Sequence, residues 1–225
     1  MSENNHPFVK YARYHPDMPN GAEATTEAFY QHMNKRRTVR HYSPEPVSRA
    51  IIENCIKTAG TAPSGAHQQP WHFCAISNPQ AKQTIRQAAE KEEQEFYATK
   101  ASPEWLKALE PLGTDTNKQF IETAPWVIAI FAKKYGIDEQ GNKVKHYYFN
   151  ESVGLATGML ITALHNIGLS TLTHTPSPMG FLNTLCDRPK NEKPYMLLIV
   201  GYPEDQCQVP DIERLPLDKI SNFIE

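Results

Sequence analysis

An α+β fold is predicted for this chain by three features. Long helical patterns alternate with about four short apolar runs, those runs are bounded by proline, glycine or asparagine, and "YMLLIVGYP" is a continuous apolar run with the character of a central strand. At 225 residues the chain can bury a substantial core as one compact domain with extensions. The patterns do not encode the order of strands.

Residues 1–22 are rich in Pro, His, Asn and Tyr without periodicity and read as an arm. "TTEAFYQHMNKRR" predicts a helix with Thr25 at its N-cap and cations at its C-terminus, where they complement the dipole. "PVSRAIIENCIKTAG" predicts a second, with Val47, Ala50, Ile51, Ile52, Cys55, Ile56 and Ala59 on one face and Gly60 as C-cap. After the loop "TAGTAPSGAHQQPW" come a strand, "WHFCAIS", and a long polar helix, "QAKQTIRQAAEKEEQEFYA". A helical pattern, "TNKQFIETA", leads past Pro125 into the strand "WVIAIFA". The helix over about 146–166 is apolar nearly all round, so burial on several sides is expected, and Gly154, Ala156, Gly158 and Ala163 permit close approach. A threonine-rich strand "STLTHT", a short helix near 179–186 and the "YMLLIVGYP" strand complete the order.

A formal charge of −2 gives no footprint for nucleic acid or an anionic membrane. Cys55, Cys74, Cys186 and Cys207 are scattered without a C-x-x-C and read as reduced thiols in the cytoplasm. The N-terminus lacks the apolar core of a secretory signal, and the longest apolar tract falls short of the roughly 20 residues that span a bilayer, so no membrane partner is expected. Walker, G-x-G-x-x-G, H-E-x-x-H and G-x-S-x-G motifs are absent. The nine histidines are dispersed, with no third ligand to join His67 and His72, so no metal is expected.

Four groups of residues could carry chemistry. Arg36, Arg37 and Arg40 in "KRRTVRHY" fit either a solvated helix end or a phosphate clamp, since guanidinium groups bind phosphate oxygens bidentately. Pro63, Ser64, Gly65 and Ala66 fit an ordinary turn or a surface that admits a flat, bulky ligand. Glu93 and Tyr97, spaced i, i+4, and Lys118 fit a solvated helical face or a receptor for a zwitterion. Thr173 and Thr175 alternate with His174, which puts both hydroxyls on one face of a strand, for packing or for binding.

In order along the chain, "RRTVR", "TAPSGAHQQPWHF", "TAPWVIAIF", "HYYFNESVGLATGMLITAL", "THTP" and "MLLIVGYP" resemble the FMN-dependent nitroreductase superfamily, and within it the iodotyrosine deiodinase branch. The resemblance runs from about residue 30 to the C-terminus. It implies a nitroreductase-like fold, a central mixed sheet flanked by helices, in an intertwined homodimer that exchanges the N-terminal arm and "LDKISNFIE". The domain would span 23–225, with a substrate lid over about 88–120.

By the same resemblance, FMN is held by Arg36, Arg37, Thr38, Val39, Arg40 and Arg214, by the Pro63-Ser64-Gly65 turn against its ring, and by Thr173, His174 and Thr175. Thr175 would donate toward flavin N5, and the Ala66 N–H would hold the substrate oxygen. These two are the expected catalytic contacts. Glu93 would take the ammonium of an amino acid, Lys118 its carboxylate, and Tyr97 would cover the ring. The implied activity is reductive dehalogenation of iodo-, bromo- or chlorotyrosine, with NAD(P)H or a separate reductase as electron source. Two alternatives stay open: an NAD(P)H-dependent nitro- or enone-reductase, and a non-catalytic flavin or tyrosine sensor.

Overall fold

The computed structural model describes residues 8–11 and 21–225, so the arm expected over 1–22 lies almost wholly outside the described residues. The chain divides between Lys35 and Arg36. In the first unit, α1 (Ala22–Asn34) begins earlier than expected: Gly21, at φ 100°, is the N-cap, and the Thr25 hydroxyl donates back to the Gly21 carbonyl at 3.0 Å from within the first turn. It also ends before the cations, so Arg36 and Arg37 are not its last turn.

The second unit is built on a four-stranded sheet in the order β1-β2-β6-β5, formed by β1 (Trp71–Ile76), β2 (Trp126–Lys133), β5 (Ser170–His174) and β6 (Glu192–Gly201). All three ladders are antiparallel, and the parallel component of the mixed sheet is confined to one bridge, Thr38 to Thr171. β2 and β6 are central and covered on both sides, which is why both read as continuous apolar runs rather than alternating ones. On one face Val127, Ala129, Phe131, Leu197 and Ile199 pack with α3 (Pro79–Glu95), α5 (Phe120–Thr123) and α7 (Phe181–Leu185), which contribute Ile85, Ala89, Ile121 and Leu182. On the other, Ile128, Ile130, Leu198 and Val200 meet Ile52, Cys55 and Ala59 of α2 (Arg49–Ala59) and Val153, Leu160 and Leu164 of α6 (Phe149–Asn166).

Tight approach fixes one end of this sheet. A Cβ on Gly201 would lie 2.6 Å from Pro125 Cδ and 3.1 Å from the Tyr42 ring, so only glycine fits where the end of β6 meets Pro125 and Tyr42. α6 differs from expectation in its burial. Its inner stripe is buried, but Leu155 is 52% exposed and a Cβ on Gly158 would meet nothing within 4 Å, so its apolar outer face has no cover among the described residues.

Two elements were not anticipated. α4 (Pro103–Leu109) has a legible start, with Ser102 Oγ accepting from the Trp105 N–H at 3.2 Å and Pro103 in the first turn. The hairpin β3 (Tyr135–Ile137) to β4 (Lys143–Lys145) turns where Asp138 Oδ1 accepts from the N–H groups of Gln140 and Asn142 and Gly141 takes φ 84°. One further turn, α8 (Leu217–Ile220), lies near the C-terminus, with Leu217, Ile220, Phe223 and Ile224 all exposed.

Candidate active site

A cavity of about 560 Å³ opens where β5 leaves the sheet. Thr173, His174 and Thr175 form its floor, Arg40 one wall, and the roof comes from the end of α3, α4 and the loop through Lys118. Strand alternation explains the floor. Thr173 pairs with Leu198 and so faces the α2/α6 side, whereas His174 pairs with Leu197 and faces the α3/α5 side. Thr173 and Thr175 are exposed and His174 is buried between them, so the two hydroxyls share a face as expected and the imidazole does not.

His174 lies edge-on to Phe120, with ring centroids 6.1 Å apart, and its buried Nε2 has no hydrogen-bond partner among the described residues. Burial, and then the positive charges of Lys118 and Arg40, push its pKa down to about 4, so the ring is neutral at pH 7.

The roof gathers Glu93, Tyr97 and Lys118, which the sequence leaves 25 residues apart at the extremes, as Glu93 and Lys118. Lys118 Nζ lies 3.4 Å from Glu93 Oε2 and also donates to the Asp115 carbonyl. Its backbone N–H donates to Glu90 Oε1 at 2.8 Å, and Glu90 is held in turn by Arg86 Nε at 2.8 Å. Tyr97 is not on a regular α-helical face with Glu93. α3 ends at Glu95, and Phe96–Lys100 form a wider turn closed by the Ala101 N–H to the Phe96 carbonyl at 2.9 Å. Such π-type turns recur at functional sites because they re-aim a side chain without breaking the helix. Here the Tyr97 hydroxyl reaches Thr114 Oγ1 at 3.1 Å, and Phe96 packs edge-on against Trp105 at 4.8 Å. The sequence reading missed Trp105 and Thr114. Ser102-Pro103 was the signal for the helix that carries Trp105; nothing local marks Thr114.

The arginines assemble through the C-terminal segment. Arg37 donates to the Pro210 carbonyl, and Arg214 donates to the Arg36 carbonyl at 2.6 Å. Arg36 is held below the usual guanidinium range by burial first, then by the charges of Arg214 and Arg37. Like charges converging in this way favour an anion between them, and the reading as a solvated helix end does not hold. Thr38 forms the parallel bridge. The Val39 N–H donates to the Thr171 carbonyl at 3.3 Å and its side chain is in the core, leaving its carbonyl as the available polar group.

The Pro63–Ala66 turn does not line this cavity. It precedes β1, the opposite edge of the sheet from β5, three strand spacings or about 14 Å away. Gly65 is required by its own neighbours, since a Cβ there would lie 2.7 Å from the Tyr147 carbonyl oxygen. Ser64 Oγ accepts from the Gln69 N–H at 2.9 Å. Ala66 is exposed at φ 50°, ψ 30°, and His67 and Gln69 are also left-handed, a run of strained backbone of the kind that persists where function requires it.

A hydroxyl-edged strand, Arg40 and a charged roof around one cavity, with Arg36, Arg37 and Arg214 converging outside its lining, are features of flavin-dependent oxidoreductases. The chain belongs to the nitroreductase family, whose model matches residues 33–202. An iodotyrosine deiodinase of Haliscomenobacter hydrossis is 49% identical to it over 207 residues, 92% of this chain and 93% of the relative. Iodotyrosine deiodinase 1 of Homo sapiens is 42% identical over 220 residues, 97% of this chain and 76% of the relative. The fold matches the crystal structure of an oxidized iodotyrosine deiodinase bound to FMN and 3-iodo-L-tyrosine, with a TM-score of 0.73 and 28% identity over 87% of this chain and all of that one. Among the described residues no helix is long and apolar enough to cross a membrane.

Proposed function

We propose that this chain is an FMN-dependent reductive dehalogenase of halogenated tyrosines, releasing halide and tyrosine. The observation that carries the reading is the Glu93–Lys118 pair in the cavity roof, 3.4 Å apart, with Lys118 only 4% exposed. A free amino acid brings one ammonium and one carboxylate. It can replace the internal pair by two external ones, so that neither buried charge is left alone when substrate enters. A nitroaromatic or an enone offers no such exchange.

The residues present fit FMN. Arg36, Arg37 and Arg214 supply a convergent cationic nest for its phosphate, Thr173 and Thr175 a hydroxyl face for its ring edge, and Arg40 a donor at the cavity wall. When bound, FMN supplies the electrons that reduce the carbon–halogen bond. The chain's own part is to bind and orient. Glu93 accepts from the ammonium, Lys118 donates to the carboxylate, Tyr97 covers the aromatic ring, and the Ala66 N–H donates to the phenolate oxygen. A charge-assisted bond of that last kind is worth about 1.5–3 kcal/mol, enough to favour phenolate over phenol by an order of magnitude or more. The Thr175 hydroxyl would donate toward flavin N5. His174, facing the α3/α5 side, would support the roof beneath Lys118 rather than touch the ring.

A homodimer is part of this reading, and the position of the Pro63–Ala66 turn supports it. If that turn and Thr175 serve one flavin, they come from two chains, because the sheet separates them within one. The uncovered face of α6 at Leu155 and Gly158, and the exposed Leu217, Ile220, Phe223 and Ile224, support an intertwined partner. We further assign an arm over 1–22, a flavin-binding domain over 23–225 with a lid at about 88–120, a reductant that is NAD(P)H or a separate reductase, and, from four free thiols, a cytoplasmic site.

Anaerobic incubation of reduced, FMN-loaded protein with iodo-, bromo- and chlorotyrosine, with measurement of released halide, tests the reading. Stoichiometric halide is the expected result. Flavin that stays reduced while no halide appears with any of the three would overturn it.

A further inference from the structure

One stripe of α3 holds the segment that carries Lys118. Lys82, Arg86 and Glu90 recur every four residues and share a side of the helix, and Glu93 follows on that side one turn later. They meet residues 118–124 in reverse order along the chain. Lys82 Nζ donates to the Glu122 and Ala124 carbonyls at 2.8 and 2.7 Å. Arg86 Nη1 donates to Glu122 Oε1 at 3.2 Å and to the Gln119 side chain. Glu90 Oε1 accepts from the Lys118 backbone N–H at 2.8 Å, and Glu93 Oε2 lies 3.4 Å from Lys118 Nζ.

These contacts serve different ends. Lys82, itself buried, satisfies carbonyls at the C-terminus of α5, whose Ile121 is fully buried, so that end of the segment belongs to the core. Glu90 instead grips the backbone of the residue whose ammonium faces Glu93. A lysine stem is long and flexible, and a buried ammonium keeps one aim only if its backbone is fixed. With the Asp115 carbonyl and Glu93 facing two of its three donors, a fixed backbone leaves the Lys118 ammonium one position.

Glu90 is itself locked. The oxygen that accepts from Lys118 also accepts from Arg86 Nε at 2.8 Å, and Arg86 is held at its far end by Glu122. Against burial, which raises it, Arg86 and the Lys118 N–H hold the Glu90 carboxyl below the usual carboxylate range, so both contacts to it are charge-assisted at neutral pH. Neither Glu90 nor Arg86 lines the cavity, so neither touches a ligand there.

We propose that Glu90, braced by Arg86, is a positioning residue that aims Lys118 at the carboxylate of an amino acid ligand. This rests on the reading of the roof as a zwitterion receptor. Glu93 is placed directly by α3, whereas Lys118 lies on a loop and short turn; Glu90 ties the two charges to one rigid element, which fixes their spacing.

The test is equilibrium binding, by calorimetry on the FMN-loaded protein, of 3-iodotyrosine and of 3-iodotyramine, which shares the ring and the ammonium but has no carboxylate. The wild type should prefer iodotyrosine. Glu90→Ala should lower that preference roughly tenfold or more and leave iodotyramine affinity unchanged, because only the carboxylate contact is misplaced. Glu90→Gln, which keeps an acceptor oxygen at the same reach, should restore most of the preference. In Glu90→Ala the Lys118 amide should also exchange with solvent deuterium faster than in the wild type, a readout that needs no ligand. Equal weakening of both ligands in Glu90→Ala would show a general loosening of the roof and overturn the proposal, as would a preference that survives intact. Arg86→Met, which keeps the aliphatic stem and releases Glu90, decides if Glu90→Ala does not fold: it should lower the same preference, and an unchanged preference overturns the proposal. A wild type with no preference for iodotyrosine overturns the zwitterion reading itself, and this proposal with it.

Discussion

Lys118 and Glu93 close an ion pair of 3.4 Å in the roof of the cavity, with side chains only 6% and 20% exposed. Each is braced from outside the pair: Lys118 by the Asp115 carbonyl and by Glu90 on its backbone N–H, Glu93 by its place on the last turn of α3. The geometry presents both charges at one spot, which suits a ligand that carries both.

Glu93→Gln removes the acceptor for an ammonium while preserving shape. Halotyrosine affinity, read from quenching of flavin fluorescence, should fall roughly 10- to 100-fold, with FMN content unchanged. Unaltered affinity would remove the zwitterion assignment.

Arg36→Gln tests the cationic nest. One charge-assisted contact to phosphate is worth about 1.5–3 kcal/mol, so FMN should dissociate roughly 10- to 150-fold more readily, measured by flavin retained on gel filtration and by titration of the apoprotein. The melting temperature of the apoprotein should rise or stay level, since a like-charge contact with Arg37 and Arg214 is lost. A variant that keeps wild-type FMN affinity would place the phosphate elsewhere.

Stability should depend on pH through His174. Its folded pKa of about 4 lies below the ordinary value of 6.5, so the unfolded chain binds more protons between those values. Stability is therefore fully present above pH 6.5 and declines as pH falls toward 4, by about 2 kcal/mol between pH 8 and 5 from this group. Urea unfolding at both pH values, for the wild type and His174→Gln, measures the difference. An identical pH slope in the two proteins would count against a buried neutral imidazole.

Gly201→Ala places a methyl 2.6 Å from Pro125 Cδ, on a ring that cannot turn aside. A loss of about 1–3 kcal/mol in urea unfolding is expected, as for other overpacked sites. By contrast, Gly158→Ala meets nothing within 4 Å among the described residues. It should leave the stability of an isolated chain unchanged or raised while weakening self-association, measured by sedimentation, if α6 packs on a second copy.

Much of the element order was legible because β2 and β6 are covered on both faces, α2 on one, and burial writes itself into residue choice at a fixed period. Thr173 and Thr175 could be placed on one face for the same reason. The start of α1 was misplaced because Gly21 served as cap through its backbone, which leaves no side-chain signature. α4 and the β3–β4 hairpin were missed because they are short and largely exposed, so turn chemistry at Ser102-Pro103 and Asp138 was their main trace.

The sequence by itself determined most of the longer helices and strands, which residue types could hold a phosphate or a zwitterion, and the family those motifs belong to. Only the tertiary structure decided that Glu93 and Lys118 face one another, that His174 turns away from the threonines beside it, and that the Pro63–Ala66 turn lies at the far edge of the sheet from Thr175. Local periodicity reports whether a side chain is buried. Strand order and register decide what it is buried against, and those are settled by pairings between distant parts of the chain.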